Sequence, residues 1–333
     1  MPDLRTTVTE LATGLGMLGF DSPGEALQAR PPAMVSASPE TWGLLDGAHS
    51  GGALTKAFED AWDNGRAFLE ADDALRQRLP LRIEWKGSHK APGNEAVPVD
   101  LRVDHTFLVS CKYLSRIVAN SSPSLLFDAL QRRQVRRGVD WYAEVASNEY
   151  QCLYDAVRAD LSASDLPEKV SALSTEDKQL LAKSLSGGWS TAAADAYQVL
   201  ADTVAVESAQ RWRNALDGSS AQEAALWRLM RIGDAPYYIL GSAAGGPLRL
   251  RIATQWDWRR QYRFRQLDVS AQRGGQPRVA WHGVAEDRLS GTEVSVEGHI
   301  EIRWSHGRFG GKPEAKVYLD TPHSCVPGYY LLK

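Results

Sequence analysis

Apolar and polar positions along this chain fall into three successive textures. From Thr55 to Leu79, the residues Phe58, Ala61, Trp62, Phe68 and Leu69 recur at three- and four-residue spacing, which predicts a helix that Pro80 ends. Leu81 to Lys86 alternates as a half-buried strand does. Residues 97–113 alternate on both sides of a polar centre and predict a β-hairpin. Helical spacing returns from Leu114 to Leu130, with a break at Ser121-Ser122-Pro123 and a second helix opening on Pro123. Residues 138–217 are rich in Ala, Leu, Glu and Asp and predict several helices, with breaks at Leu166-Pro167 and Gly187-Gly188. From Tyr237 onward the segments 237–240, 248–253, 262–269, 278–281, 293–304 and 315–319 alternate between glycine-rich turns, the pattern of an antiparallel sheet. Residues 21–50, with Pro23, Pro31, Pro32 and Pro39, read as an irregular arm.

Composition narrows the class. With 333 residues, 43% hydrophobic and 24% charged, the chain is expected to fold as one large domain or two ordinary ones. No apolar run is long enough to span a membrane. The opening Met1-Pro2-Asp3-Leu4-Arg5 lacks the pattern of a secretory signal, and Cys111, Cys152 and Cys325 form no CxxC pair. The cytoplasm is therefore the expected compartment. No GxGxxG, GxxxxGK[ST] or GxSxG pattern is present, and the seven histidines show no HxxxH spacing.

The net charge of −3 does not favour a nucleic-acid partner, but its distribution does. Residues 1–209 hold 20 Lys and Arg against 29 Asp and Glu, whereas 210–333 hold 18 against 12. Within 249–278 lie eight arginines and only Asp257 and Asp268 as acids. A local basic stripe is what a phosphate backbone requires. Arg259, Arg260, Arg263 and Arg265 are expected on strands as phosphate- or base-contacting residues, with Trp256, Trp258 and Tyr262 placed to stack on unpaired bases. The bland alternative is that the arginines form the solvated face of a sheet.

The hairpin Val99-Asp100-Leu101-Arg102-Val103-Asp104-His105-Thr106-Phe107-Leu108-Val109-Ser110-Cys111-Lys112 carries candidate chemistry. Asp100 and Asp104 lie on one strand, Ser110 and Lys112 on the other. Phosphodiester hydrolysis needs acids to hold a divalent cation and a cationic group near the developing charge. A three-residue turn at His105 to Phe107 would set Asp100 opposite Lys112, and a two-residue turn would set it opposite Cys111.

An acid followed about ten residues later by a short strand ending in x-x-Lys resembles the core of the PD-(D/E)XK nuclease superfamily. So does the predicted order of helix 55–79, strands 81–86, 97–104 and 108–113, and helix 114–120. The resemblance covers residues 55–130 and implies Asp100 as the metal-binding acid and Lys112 as the catalytic lysine. Glu59 or Glu84 would supply a further acid to Mg²⁺ or Mn²⁺. Ser110 stands where the family usually has Glu or Asp. Two other ExK patterns compete: Glu84-Trp85-Lys86 after Asp73, and Glu314-Ala315-Lys316 after Glu301.

The expectation is an α+β protein. Residues 1–135 would hold a restriction-endonuclease-like core with an N-terminal arm. Residues 136–235 would be helical, and 236–333 an antiparallel β-rich, nucleic-acid-contacting region. The implied function is a Mg²⁺-dependent DNA endonuclease of the restriction or phage-defence kind, acting as a homodimer or within a defence complex. The alternatives are a catalytically inactive nucleic-acid-binding subunit, favoured by Ser110, and a scaffold whose arginine stripe meets an acidic protein.

Overall fold

The computed structural model describes residues 4–87, 98–114, 117–128, 139–161 and 165–333. The loop expected at Ala91–Asn94 and the end of the helix expected at Leu130 lie outside them. The elements in chain order begin with α1 (Leu4–Gly16), α2 (Pro23–Ala29), β1 (Met34–Val35), α3 (Pro39–Ser50) and α4 (Thr55–Glu70). Strands β2 (Ile83–Trp85), β3 (Leu101–Val103), β4 (Phe107–Tyr113) and β5 (Ile117–Ser121) follow. The middle holds α5 (Pro123–Phe127), α6 (Trp141–Val145), α7 (Ser147–Asp160), α8 (Thr175–Ser184), α9 (Thr191–Ala215) and α10 (Ser219–Leu229). Next come β6 (Tyr237–Ala243), β7 (Gly246–Ile252) and α11 (Gln255–Gln261). The chain ends with β8 (Tyr262–Gln272), β9 (Arg278–Asp287), β10 (Glu293–Arg303), β11 (Glu314–Leu319) and β12 (Tyr329–Leu331). The class is mixed α+β, as expected. Among the described residues, no helix is long and apolar enough to cross a membrane.

The chain forms two compact units. The first takes the described residues of Met1–Arg116, Arg231–Gln261 and His323–Lys333, and the second those of Ile117–Met230 and Tyr262–Pro322. This differs from the division expected at 135 and 235. The reason is strand pairing: β6 runs parallel to β4, with Lys112 level with Gly241, which draws β6 and β7 into the first unit. That unit's sheet is mixed, in the order β1-β2-β3-β4-β6-β7-β12. The second unit's sheet is antiparallel, in the order β5-β11-β10-β9-β8, with α9 packed on β8 and β9 and α10 on β8.

Two expectations about local structure change. The arm at 21–50 contains helices α2 and α3, because each of its Ser-Pro pairs is a helix start. Ser22 Oγ accepts from Glu25 N–H and Ser38 Oγ from Thr41 N–H, and each following proline sits in the first turn, where its missing donor costs nothing. The helix expected at 114–120 is instead strand β5 over Ile117–Ser121. It pairs with β11, Ala119 level with Val317, and the β-branched Ile117 and Val118 suit that edge. The helix opening on Pro123 forms as expected, as α5.

Helix α1 is buried along Thr7–Gly16 and crosses α4 backbone to backbone. A Cβ on Gly65 would lie 2.1 Å from the Thr13 carbonyl oxygen, and one on Gly16 would lie 2.2 Å from that of Trp62. Thr9 and Thr13 stay satisfied inside the helix by donating to the Arg5 and Thr9 carbonyls at 3.0 and 2.8 Å. Gly65→Ala is expected to lower stability by about 1–3 kcal/mol through overpacking. Gly43→Ala on α3, where nothing lies within 4 Å, should be neutral or stabilising. Urea midpoints of the two variants check this.

Candidate active site

The hairpin turn lies at Asp104–Thr106, one residue earlier in register than expected. Asp104 and His105 both take positive φ, Thr106 N–H donates to the Val103 carbonyl, and Val103 pairs with Phe107. With Leu101 opposite Val109, Asp100 falls level with Ser110 rather than Lys112. The ladder between β3 and β4 ends there, and the Asp100 side chain continues it. Its Oδ2 accepts from Cys111 N–H at 2.7 Å and from Ser110 Oγ at 3.1 Å. Ser110 is fully buried. The strand period places Lys112 on the same face of β4 as Ser110.

A residue that sequence reasoning missed lies within electrostatic reach of Asp100. Glu10 on α1 is only 6% exposed, and its Oε2 accepts from Trp85 Nε1–H of β2 at 2.6 Å. Burial, and then the negative charge of Asp100, push its carboxyl up to about 7, against the lowering pull of the Trp85 hydrogen bond and the Lys112 charge. Asp100 and Lys112 therefore both lie within electrostatic reach of Glu10. The signal was present in the sequence: Glu10 is the one charged residue between Arg5 and Asp21.

This buried acid makes stability depend on pH. Folding favours the protonated form, so the contribution is fully present below pH 4.5 and is lost as pH rises through about 7. The loss amounts to roughly 3 kcal/mol. Glu10→Gln keeps an acceptor for Trp85 and cannot ionise. It is expected to match the wild type near pH 4.5 and to melt higher than the wild type at pH 8, as calorimetric scans at both pH values would show.

The other expected ligands are placed elsewhere. Glu84 is engaged by Arg82 at 3.0 Å and by Arg102, and the Arg102 hydrogen bond holds its carboxyl below the ordinary range. Glu59 is exposed on α4. Neither joins Asp100. Asp104 is a structural acid: it accepts from Leu81 and Arg82 N–H at 2.8 and 3.0 Å and pairs with Arg78 at 2.7 Å. Of the rival patterns, Asp73 binds the chain's end at Lys333 N–H, 3.2 Å away. Glu301 accepts from Arg278 at 3.0 and 2.5 Å, and Glu314 accepts from Asn120 at 2.9 Å and from Ser305, so these acids are held in sheet-face networks.

The arginine stripe is not one strand surface. Arg259 and Arg260 stand exposed on helix α11 in the first unit, whereas Arg263 and Arg265 lie on β8 in the second, where Arg265 pairs with Glu286. Trp258 is fully buried, so its ring is core and not a stacking surface. The alternation that suggested a strand is that of an anchored short helix.

A small crevice opens beside Lys112, lined by Thr9, Thr13, Asn64, Tyr113 and Ser242 among others. Asn64 ties its rim: Nδ2 donates to the Gly241 carbonyl at 2.9 Å, and Oδ1 accepts from Arg249 at 2.8 Å. His323 is half-buried, and burial together with the Lys112 charge pushes its imidazole below its ordinary value. Among the described residues, no group of three or more His, Cys, Asp or Glu side chains is placed to hold a metal ion. Glu10 and Asp100 offer two carboxylates. Comparison with protein-family models, curated proteins and solved structures returned no match.

Proposed function

We propose that Glu10, Asp100, Ser110 and Lys112 form the active site of a Mg²⁺- or Mn²⁺-dependent DNA endonuclease, built on a restriction-endonuclease-like core and serving restriction or phage defence. The observation that carries this reading is the Asp100 carboxylate clasped to Ser110 and to Cys111 N–H, with Lys112 two residues beyond Ser110 and the buried Glu10 carboxyl within electrostatic reach. The helix α4 followed by the meander β2-β3-β4 supports the core assignment, and β5 in place of a following helix departs from it. The restriction setting rests on analogy alone. A homodimer would present one such site to each strand of a duplex.

The donor set fits a hard cation, which takes one or two protein carboxylates. Asp100 spends Oδ2 on its two hydrogen bonds, so Oδ1 is the oxygen it would offer. Glu10 would offer the oxygen not held by Trp85. When bound, the cation would lower the pKa of the attacking water and neutralise charge on the phosphate. Ser110 orients Asp100 in place of the missing acid, and Glu10 replaces that acid's charge from α1. The Lys112 ammonium would meet the charge that develops on the phosphate oxygens.

The neutral Ser110 also supports a second reading, a nucleic-acid-binding subunit without catalysis. Incubating the purified protein with plasmid and single-stranded DNA in Mg²⁺, Mn²⁺ or EDTA separates the two. Metal-dependent cleavage is expected. Cleavage that persists in EDTA contradicts the metal role, and salt-sensitive binding without cleavage supports the second reading.

A further inference from the structure

We propose that helix α11 is a stacking platform for an unpaired nucleobase, so that the nucleic acid bound by this protein contains a single-stranded or unstacked segment. The inference rests on the nucleic-acid reading above but not on cleavage. Among the described residues Trp256 is the one tryptophan that is mostly exposed, at 65%. Arg260, one turn on, holds its guanidinium over the Trp256 ring, 4.8 Å from the centroid. Arg259 and Arg260 are both exposed, and positions 256, 259 and 260 share one helix face. The face thus offers an aromatic plane with the Arg260 guanidinium over it, the combination that receives a base and its phosphate.

The platform is fixed in place. Trp258, on another face of α11, is fully buried, and a Cβ on Gly328 would come within 2.8 Å of it. The helix start is locked by a reciprocal pair: Thr254 Oγ1 donates to Asp257 Oδ2 at 2.9 Å, and Asp257 N–H donates to Thr254 Oγ1 at 3.1 Å. Trp256 is thus carried on an anchored helix, which reduces the entropy that binding would otherwise lose.

The test is fluorescence anisotropy in EDTA with a short labelled oligothymidylate and with a blunt duplex. The wild type is expected to bind the oligothymidylate more tightly. Trp256→Ala should weaken that binding about 5- to 100-fold, and Trp256→Phe should retain most of it. Arg260→Ala should weaken binding and flatten its salt dependence. Equal binding by Trp256→Ala and wild type, with unchanged melting temperatures, overturns the proposal. So does absence of oligonucleotide binding by the wild type at low salt, which would assign the face to a protein partner. Trp256-dependent binding without any cleavage would leave this inference standing and remove the endonuclease. Cleavage indifferent to Trp256→Ala would do the reverse.

Discussion

Asp100→Asn is expected to reduce cleavage by about 10²- to 10³-fold while leaving the fold intact. The amide oxygen can still accept from Cys111 N–H and Ser110 Oγ, so the end of the β3–β4 ladder stays closed. What is lost is the charge that would hold a divalent cation, and Mg²⁺ binds neutral amides poorly compared with carboxylates. A second readout is independent of activity. Asp100 contributes to the raised Glu10 carboxyl, so its neutralisation should move the pH dependence of stability towards the ordinary glutamate range. Single-turnover cleavage rates and melting temperatures across pH check both. An active Asp100→Asn would remove Asp100 from the metal site.

Gly241→Ala should be the most damaging single methyl group in the first unit. Strand β6 passes so close to β4 that a Cβ on Gly241 would fall 1.7 Å from the Lys112 carbonyl oxygen and 3.0 Å from its Cα. Both obstructing atoms are backbone, so no rotamer change relieves the clash. The two strands must part or the register must shift, and either loosens the pairs flanking Lys112. A loss of about 3 kcal/mol or more is expected, at the upper end for overpacking. Lys112 would be displaced with its strand, so activity should fall even at temperatures where the variant remains folded. Urea unfolding and cleavage measured on the same preparation would show both effects. An unchanged urea midpoint would contradict this close approach.

The strands were legible because alternation reports a half-buried face directly. Apart from the stretch around Arg259, which is helix α11, every alternating segment from Tyr237 onward lies in a strand. Alternation does not say which sheet a strand joins, because pairing partners are set by packing far along the chain. That is why β6 and β7 were expected beside β8–β11 and lie instead beside β4 and β12. Helices α2 and α3 were hidden because proline density was weighed above the Ser-Pro capping signal. Arg259 and Arg260 were put on a strand because a seven-residue helix with one buried tryptophan mimics alternation. At the site, Asp100, Ser110 and Lys112 were visible as a local pattern. Glu10 lies ninety residues away in sequence, and a lone acid in an apolar segment shows its role only once α1 is packed against β2 and β4. Glu84 looked equally suitable until Arg102 and Arg82 were seen to claim it.

The most direct test of the proposed site is a side-by-side assay of wild type and Lys112→Ala on DNA with Mg²⁺. Melting temperatures would confirm that both are folded. Metal-dependent cleavage by the wild type is expected, with a fall of about 10²-fold or more in the variant. Equal cleavage by the two proteins would contradict it and send the search for the active site to another part of the chain.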